Sequence, residues 1–362
     1  MKRFLLFLFA AISIVACQTT DIEVLSPDNV SSRAILASLE SGEDTRIQLQ
    51  SGKTVWTEGD LVSVFYRSAE NEQWIFQGNT GDRTGILAPN YVGDYPEETT
   101  DKIVVVYPYN WDHKFNLETM NIETELPQEQ NYLANSYGLN GNIMVSQSDY
   151  KQINLKSVCG WIKLQLTGNG EQIRSIKLRG NNDEQVAGEL YIKSADASCV
   201  LASEVLDPDG DMELGGTLVR PGKIYTEVTL NCLNEYGDGV TLSNDVTEFY
   251  MALPPRTFEN GFTIVIEDID GMKMTKSTSN YVAIERNWIQ PMAKFDFAGT
   301  IPANEIWYES DSMISVEANA FGATSVDCNN YDPSTGKGIL VFDKDVTSIA
   351  DYAFYGKEFR TV

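Results

Sequence analysis

Cys17 is the residue with the most definite chemistry in this chain, a thiol that directly follows a charged Lys2-Arg3 pair and an apolar run over residues 4–16 broken only by Ser13. A cysteine in that setting is a candidate for acylation on export. The other reactive groups are sparser. The only histidine, His113, stands beside Asp112 near Tyr107, Tyr109 and Trp111. With no GxSxG serine and no second imidazole it completes neither a nucleophilic triad nor a multi-histidine metal site, so it reads as a partly exposed loop residue. Asp207, Asp209, Asp211 and Glu213 alternate through a loop that contains Pro and Gly, a pattern that offers oxygen ligands to calcium. Met212 occupies the sixth position, where a calcium loop needs glycine, and the distal glutamate is misplaced, so a solvated turn is favoured and no metal is assigned. Gly52-Lys53-Thr54 ends like a phosphate loop, yet Ile47 stands where the first glycine belongs. Tyr107, Tyr109 and Trp111 are the candidate ligand contacts, since such rings stack on sugars or fill partner pockets; their competing assignment is the core of a β-sandwich. No cofactor is implied.

The apolar run is too short to stay in a membrane. Thirteen helical residues cover about 20 Å, against the ~30 Å of a bilayer's hydrocarbon core. Residues 1–16 are therefore expected to be a cleaved signal, and residues 17–30 a polar lipidated tether. The sequence up to Cys17 resembles the lipobox of bacterial lipoproteins, with Ile14, Val15 and Ala16 ahead of the cysteine. An ordinary secretory signal cut nearby is the alternative. The resemblance implies several acyl chains on Cys17, and more than one chain anchors stably where one alone is marginal. Asp21 and Glu23 look like the short acidic signal that sends some Gram-negative lipoproteins to the outer surface, which places this chain in the outer membrane facing the exterior.

The net charge is -25, and removal of Lys2 and Arg3 makes the mature chain more acidic still. Such a polyanion is repelled by nucleic acid and by anionic head groups, so nucleic acid is excluded as a partner. With 42% hydrophobic and 10% aromatic residues the chain can build cores. Four further cysteines, Cys159, Cys199, Cys232 and Cys328, allow three pairings and their spacing selects none, although Cys159 in a strand-like run is expected to be a buried free thiol.

Strand signals dominate the body. The stretches 61–66, 103–107, 158–166, 224–230, 262–266 and 294–297 are short, rich in β-branched or aromatic residues, and bounded by turn formers. Asp270-Gly271 between two such runs marks a tight hairpin, because a primed turn needs positive φ at its centre. No segment sustains a 3.6-residue period. The expected fold is mainly β: one antiparallel sandwich over 31–154, a second over 155–299, and a distinct tail over 300–362.

Residues 45–287 resemble the fimbrillin-like surface lipoproteins of Gram-negative anaerobes. The resemblance is carried by Thr45-Arg46; Trp56 with Glu58-Gly59-Asp60; Tyr107-Pro108-Tyr109; Leu126-Pro127 with Gln130; Cys159-Gly160-Trp161; Leu166-Thr167-Gly168; Ala187-Gly188; Leu253-Pro254; and Arg286-Asn287. The tail, with Ala353-Phe354-Tyr355-Gly356 and an earlier Ala320-Phe321-Gly322, is similar to the leucine-rich repeat of BspA-like surface antigens. One repeat and a fragment fall short of the roughly three that a solenoid needs, so a truncated array that packs loosely or is poorly ordered is expected.

These resemblances imply a non-catalytic surface protein acting in adhesion, with a host or bacterial surface protein or glycan as partner. They also imply an alternative. Fimbrillin-like proteins are matured by cleavage after an arginine, which frees an N-terminal strand and leaves a groove for another subunit's strand. Arg46 or Arg33 would be the processing site, and residues 32–39 the first strand. Against polymerisation, the donor strand ordinarily comes from the chain end, which here is repeat-like. A glycan-binding surface protein is the third possibility. Labelling cells with a radioactive fatty acid should tag the wild-type chain and leave Cys17→Ser unlabelled; label on the variant would remove the anchor.

Overall fold

The computed structural model describes residues 33–40, 54–91, 94–138, 141–201, 212–214, 217–219, 223–317, 319–322 and 324–360. Cys17, Arg46, Asp207, Asp209 and Asp211 lie outside them. Among the described residues there is no α-helix.

The chain begins with β1 (Ile35–Leu39), β2 (Leu61–Tyr66), β3 (Glu72–Gln77), β4 (Thr84–Pro89) and β5 (Ile103–Tyr107). It then makes an excursion through β6 (Lys114–Asn116), β7 (Asn121–Leu126) and β8 (Glu129–Asn131), and returns as β9 (Met144–Ser148) and β10 (Gln152–Ser157). Seven of these strands close a barrel in the order β1-β10-β9-β5-β2-β3-β4. The sandwich expected over 31–154 is corrected to this barrel, whose closure leaves no free sheet edge. Ile35, Ala37, Val62, Val64, Trp74, Ile103 and Val105 fill its interior together with Trp56 and Phe76, whose rings stack at 4.6 Å.

The second body is formed by β11 (Gly160–Thr167), β12 (Gln172–Gly180), β13 (Ala187–Lys193), β14 (Cys199–Leu201), β15 (Met212–Leu214), β16 (Thr217–Val219), β17 (Ile224–Tyr225) and β18 (Glu227–Asn231). It continues with β19 (Val240–Thr241), β20 (Thr247–Leu253), β21 (Arg256–Phe258), β22 (Phe262–Asp268), β23 (Lys273–Ser277), β24 (Val282–Ile284), β25 (Ile289–Pro291) and β26 (Phe295–Asp296). One sheet runs β20-β11-β25, and a facing sheet runs β23-β22-β12-β18-β8. A third runs β14-β13-β7-β6. The excursion β6–β8 therefore pairs with the second body, so a domain boundary near residue 154 does not separate two independent modules. The β22–β23 hairpin turns at Asp270-Gly271 as expected, with Gly271 at φ 87°.

Strand β5 shows why the two bodies are continuous. All five of its residues are buried. Ile103, Val105 and Tyr107 face the barrel interior, while Val104 and Val106 face a second core shared with Ile122, Leu126, Leu190 and Trp161. β11 does the same further on: Trp161 enters the shared core, and Ile162, Leu164 and Leu166 enter the sandwich core with Ile176, Leu178 and Phe249. Alternate side chains of one strand thus join successive cores, as the period of two demands. Cys159, Cys232 and Cys328 are free thiols, and burial pushes the Cys159 thiol well above its ordinary range.

The tail is more ordered than a lone repeat suggests. Strands β27 (Glu305–Glu309), β28 (Val326–Asp332) and β29 (Lys337–Phe342) form an antiparallel sheet in the order β27-β29-β28. Tyr308, Ile314, Ala320, Phe321, Leu340, Phe342 and Ala353 are buried against one another. The two Ala-Phe segments lie side by side, with the Phe321 and Phe354 rings 5.6 Å apart and Ala350 N, just ahead of the second, donating to Ala320 O at 2.7 Å. The expected loose tail is corrected to a unit with its own core, because the three-stranded sheet covers the apolar side chains of the two Ala-Phe segments.

His113 is also corrected. It is 5% exposed, at the point where the chain leaves the barrel for the shared core, and its Nδ1 lies 3.1 Å from Ser63 Oγ. Burial pushes its pKa down from 6.5 to about 4. The unfolded chain then binds the extra proton first, so stability is lost as pH falls from about 6.5 towards 4, by about 3 kcal/mol at 1.36 kcal/mol per pH unit. Urea unfolding at pH 7 and pH 4 should show that His113→Gln reduces the acid loss by about that amount; an unchanged difference would mean that another group governs it.

Candidate functional site

The three aromatics singled out in the sequence do not form one surface cluster. Tyr107 is 8% exposed, its ring packs edge-on against Trp56 at 5.7 Å, and its hydroxyl meets the Asp60 carboxylate. Burial and that carboxylate push its ionisation above the usual tyrosine range. Tyr109 is half-buried, with its N–H donating to Leu61 O at 2.8 Å. Only Trp111, 77% exposed, faces solvent.

Strand β1 lies between β4, to which it is antiparallel, and β10, to which it is parallel. Ile35, Ala37 and Leu39 point into the barrel, while Leu36 is exposed. At its start Arg33 makes a two-pronged ion pair with Glu72, Nη2 to Oε1 at 2.6 Å and Nη1 to Oε2 at 2.7 Å, with side chains 11% and 14% exposed. A protease that recognises arginine would have to break this pair to engage Arg33. At the other end, Glu40 accepts two bonds from Arg286, at 2.7 and 2.8 Å, and one from Ser157 N at 3.2 Å. β1 is thus a short insert pinned at both ends by ion pairs.

A second feature had no sequence signal. Tyr281, Val282, Ala283, Glu285, Trp288 and Gln290 line a cavity of about 400 Å³. Tyr281 is 65% exposed and Trp288 39% exposed. They flank β24 and the turn into β25, which is tightly held. Asn287, at φ 57°, donates its N–H to Cys159 O at 2.9 Å, Trp161 N donates to Trp288 O at 2.9 Å, and Arg286 Nη1 donates to Ser157 O at 2.7 Å. Gly160 is required there, because a Cβ would lie 2.1 Å from Glu285 O. The Cys159-Gly160-Trp161 and Arg286-Asn287 motifs are therefore two halves of one junction. Trp288 on this held turn, with Tyr281 across the cavity and one carboxylate and one amide beside them, suits stacking and hydrogen bonding to a ligand without any proton transfer.

A smaller cavity of about 310 Å³ lies over His113, lined by Asp112, Lys114, Glu123, Glu125, Glu189 and Lys223 among others. Burial and the neighbouring Glu123 hold Glu189 above the usual carboxylate range. Among the described residues no group of three or more His, Cys, Asp or Glu is placed to hold a metal.

No family model and no curated protein matches the chain. Among solved structures, a Bacteroides ovatus protein provisionally described as a cell adhesion protein aligns over 73% of this chain and 91% of its own, at 11% identity and a TM-score of 0.43. A fimbrial protein from the same species aligns over 83% and 58%, at 13% identity and a TM-score of 0.31. The tip fimbrial protein Mfa3 from Porphyromonas gingivalis, with a C-terminal truncation, aligns over 71% and 92%, at 10% identity and a TM-score of 0.27. At such identities and scores these are likenesses in outline only.

Proposed function

We propose that the chain is a lipid-anchored protein of the outer membrane, held through Cys17 and facing the exterior, that acts in adhesion or surface interaction and not in catalysis. The observation that carries the adhesive part is the Tyr281–Trp288 cavity, two solvent-facing rings on either side of β24, the second of them on a turn whose backbone is bonded to β11. Its volume falls within the range of small-ligand pockets. The partner is a surface protein or glycan of the host or of a neighbouring bacterium, neutral or cationic where it meets this polyanion. Tyr281→Ala and Trp288→Ala should each weaken retention on glycan- or matrix-coated surfaces by roughly tenfold, the ~1.4 kcal/mol of a lost aromatic contact. Undiminished retention of the double variant would discard the pocket.

A second reading, a fimbrial subunit that polymerises by donor-strand exchange, is favoured by β1. Five residues with only three inward side chains fill its slot, and the connection onward to β2 includes Arg46. Cleavage there would leave β1 held by non-covalent contacts alone. Incubation with an arginine-specific protease should then give ladders that resist sodium dodecyl sulfate. A cleaved chain that stays monomeric while retaining surface binding would favour the first reading.

A further inference from the structure

The side chain ahead of β1 sits in a built cage. The Arg33 guanidinium carbon lies 4.1 Å from the centroid of the Tyr66 ring and 4.0 Å from that of Tyr95, with Trp74 at 5.5 Å. Both prongs of the fork go to Glu72. Glu72 Oε2 also accepts from Trp74 Nε1 at 3.3 Å, and Trp74 stacks on Tyr66 at 5.5 Å. The register of β2 and β3, with Val64 opposite Glu72 and Val62 opposite Trp74, fixes two of these walls, and Tyr66 follows on β2. Tyr66, Glu72 and Trp74 therefore belong to barrel strands and Tyr95, 44% exposed, to the β4–β5 connection, while only the cation belongs to the segment that leads into β1.

The chemistry of the cage is specific. Tyr66 and Trp74 are 2% and 0% exposed, so the cation is largely desolvated, where cation–π attraction and a charge-assisted fork are strongest. An ammonium can neither form the planar fork nor stack between two rings. Position matters equally. Arg33 precedes Ile35, Ala37 and Leu39 by the same two-residue step that separates those three inward residues. A slip of one residue would turn Leu36 inward and draw the cation off its carboxylate.

We propose that Tyr66, Glu72, Trp74 and Tyr95 form a guanidinium-binding site, occupied in cis by Arg33, that selects an arginine two residues ahead of the first inward anchor in any strand that takes the β1 slot. The selection of an incoming strand rests on the strand-exchange reading; the guanidinium preference of the cage does not.

Two measurements test this separately. In the full chain, Arg33→Ala empties the cage and leaves β1 in place. Millimolar methylguanidinium should raise the melting temperature of this variant saturably, have no such effect on the wild type, and lose its effect in the Arg33→Ala, Glu72→Gln double variant. Equal rescue by methylammonium, or no rescue of a folded variant, would overturn the proposal. Should Arg33→Ala not fold, the second measurement decides. Wild-type chain cut after Arg46 is mixed with a labelled peptide of residues 31–41, or with its Arg33→Ala and Arg33→Lys forms. Both variants should bind at least roughly tenfold more weakly than the parent peptide. Equal affinities would overturn the cage proposal while strand exchange stands. Failure of every peptide, with methylguanidinium rescue intact, would overturn selection in trans together with the strand-exchange reading.

Discussion

Glu40 and Arg286 are separated by most of the chain, and the contact between them organises what lies on either side. The carboxylate ends β1, and the guanidinium sits in the turn between β24 and β25; the Ser157 backbone joins both, through its N–H to Glu40 and its carbonyl to Arg286. With side chains 18% and 31% exposed, the pair lies between an open surface bridge worth ~0–1 kcal/mol and a buried one whose disruption costs ~3–5 kcal/mol. Its larger role is geometric. It joins the barrel's inserted strand to the turn that carries Trp288.

That junction also gives motifs with no catalytic chemistry a structural role in this chain. Gly160 lets Glu285 O approach where any side chain would collide. Gln130 pairs both ends of its amide with the Ala252 backbone, each at 2.8 Å, and thereby ties the excursion from the barrel to β20. Trp56 is stacked inside the barrel, and Asp60 accepts from Thr57 N at 2.8 Å at the turn that opens β2. Gly160, Gln130 and Trp56 join segments distant in sequence, and among these strands such non-local ties decide which of them meet.

Binding chemistry is then left to what the scaffold presents. The barrel conceals one aromatic cluster around a cation of its own chain, and the second body exposes another around an open cavity. Tyr66 and Trp74 are packed in the barrel and Trp288 stands on a backbone held to β11, which lowers the ordering entropy that such residues would lose on binding. The acidic surface disfavours polyanionic partners, and the ring faces provide a contact that does not depend on charge.

Sequence alone marked those strands whose apolar runs end in turn formers. Leu61–Tyr66 and Ile103–Tyr107 stand where β-branched and aromatic runs end in turn formers, and Asp270-Gly271 makes the expected hairpin. These depend on neighbours within a few residues, where alternation and positive φ act. It could not place residues 114–131, because the amphipathic alternation of β7 fits a sheet on either body and the partner strand β13 begins only at Ala187. It left Tyr107 between core and surface, and it did not reveal that His113 is buried, that Arg33 is caged, that Tyr281 and Trp288 share a cavity, or that Phe321 and Ala353 share a core. Burial is a property of what folds over a residue. The sequence fixes where each strand can form, and only tertiary pairing decides which face is covered and which remains open to a partner.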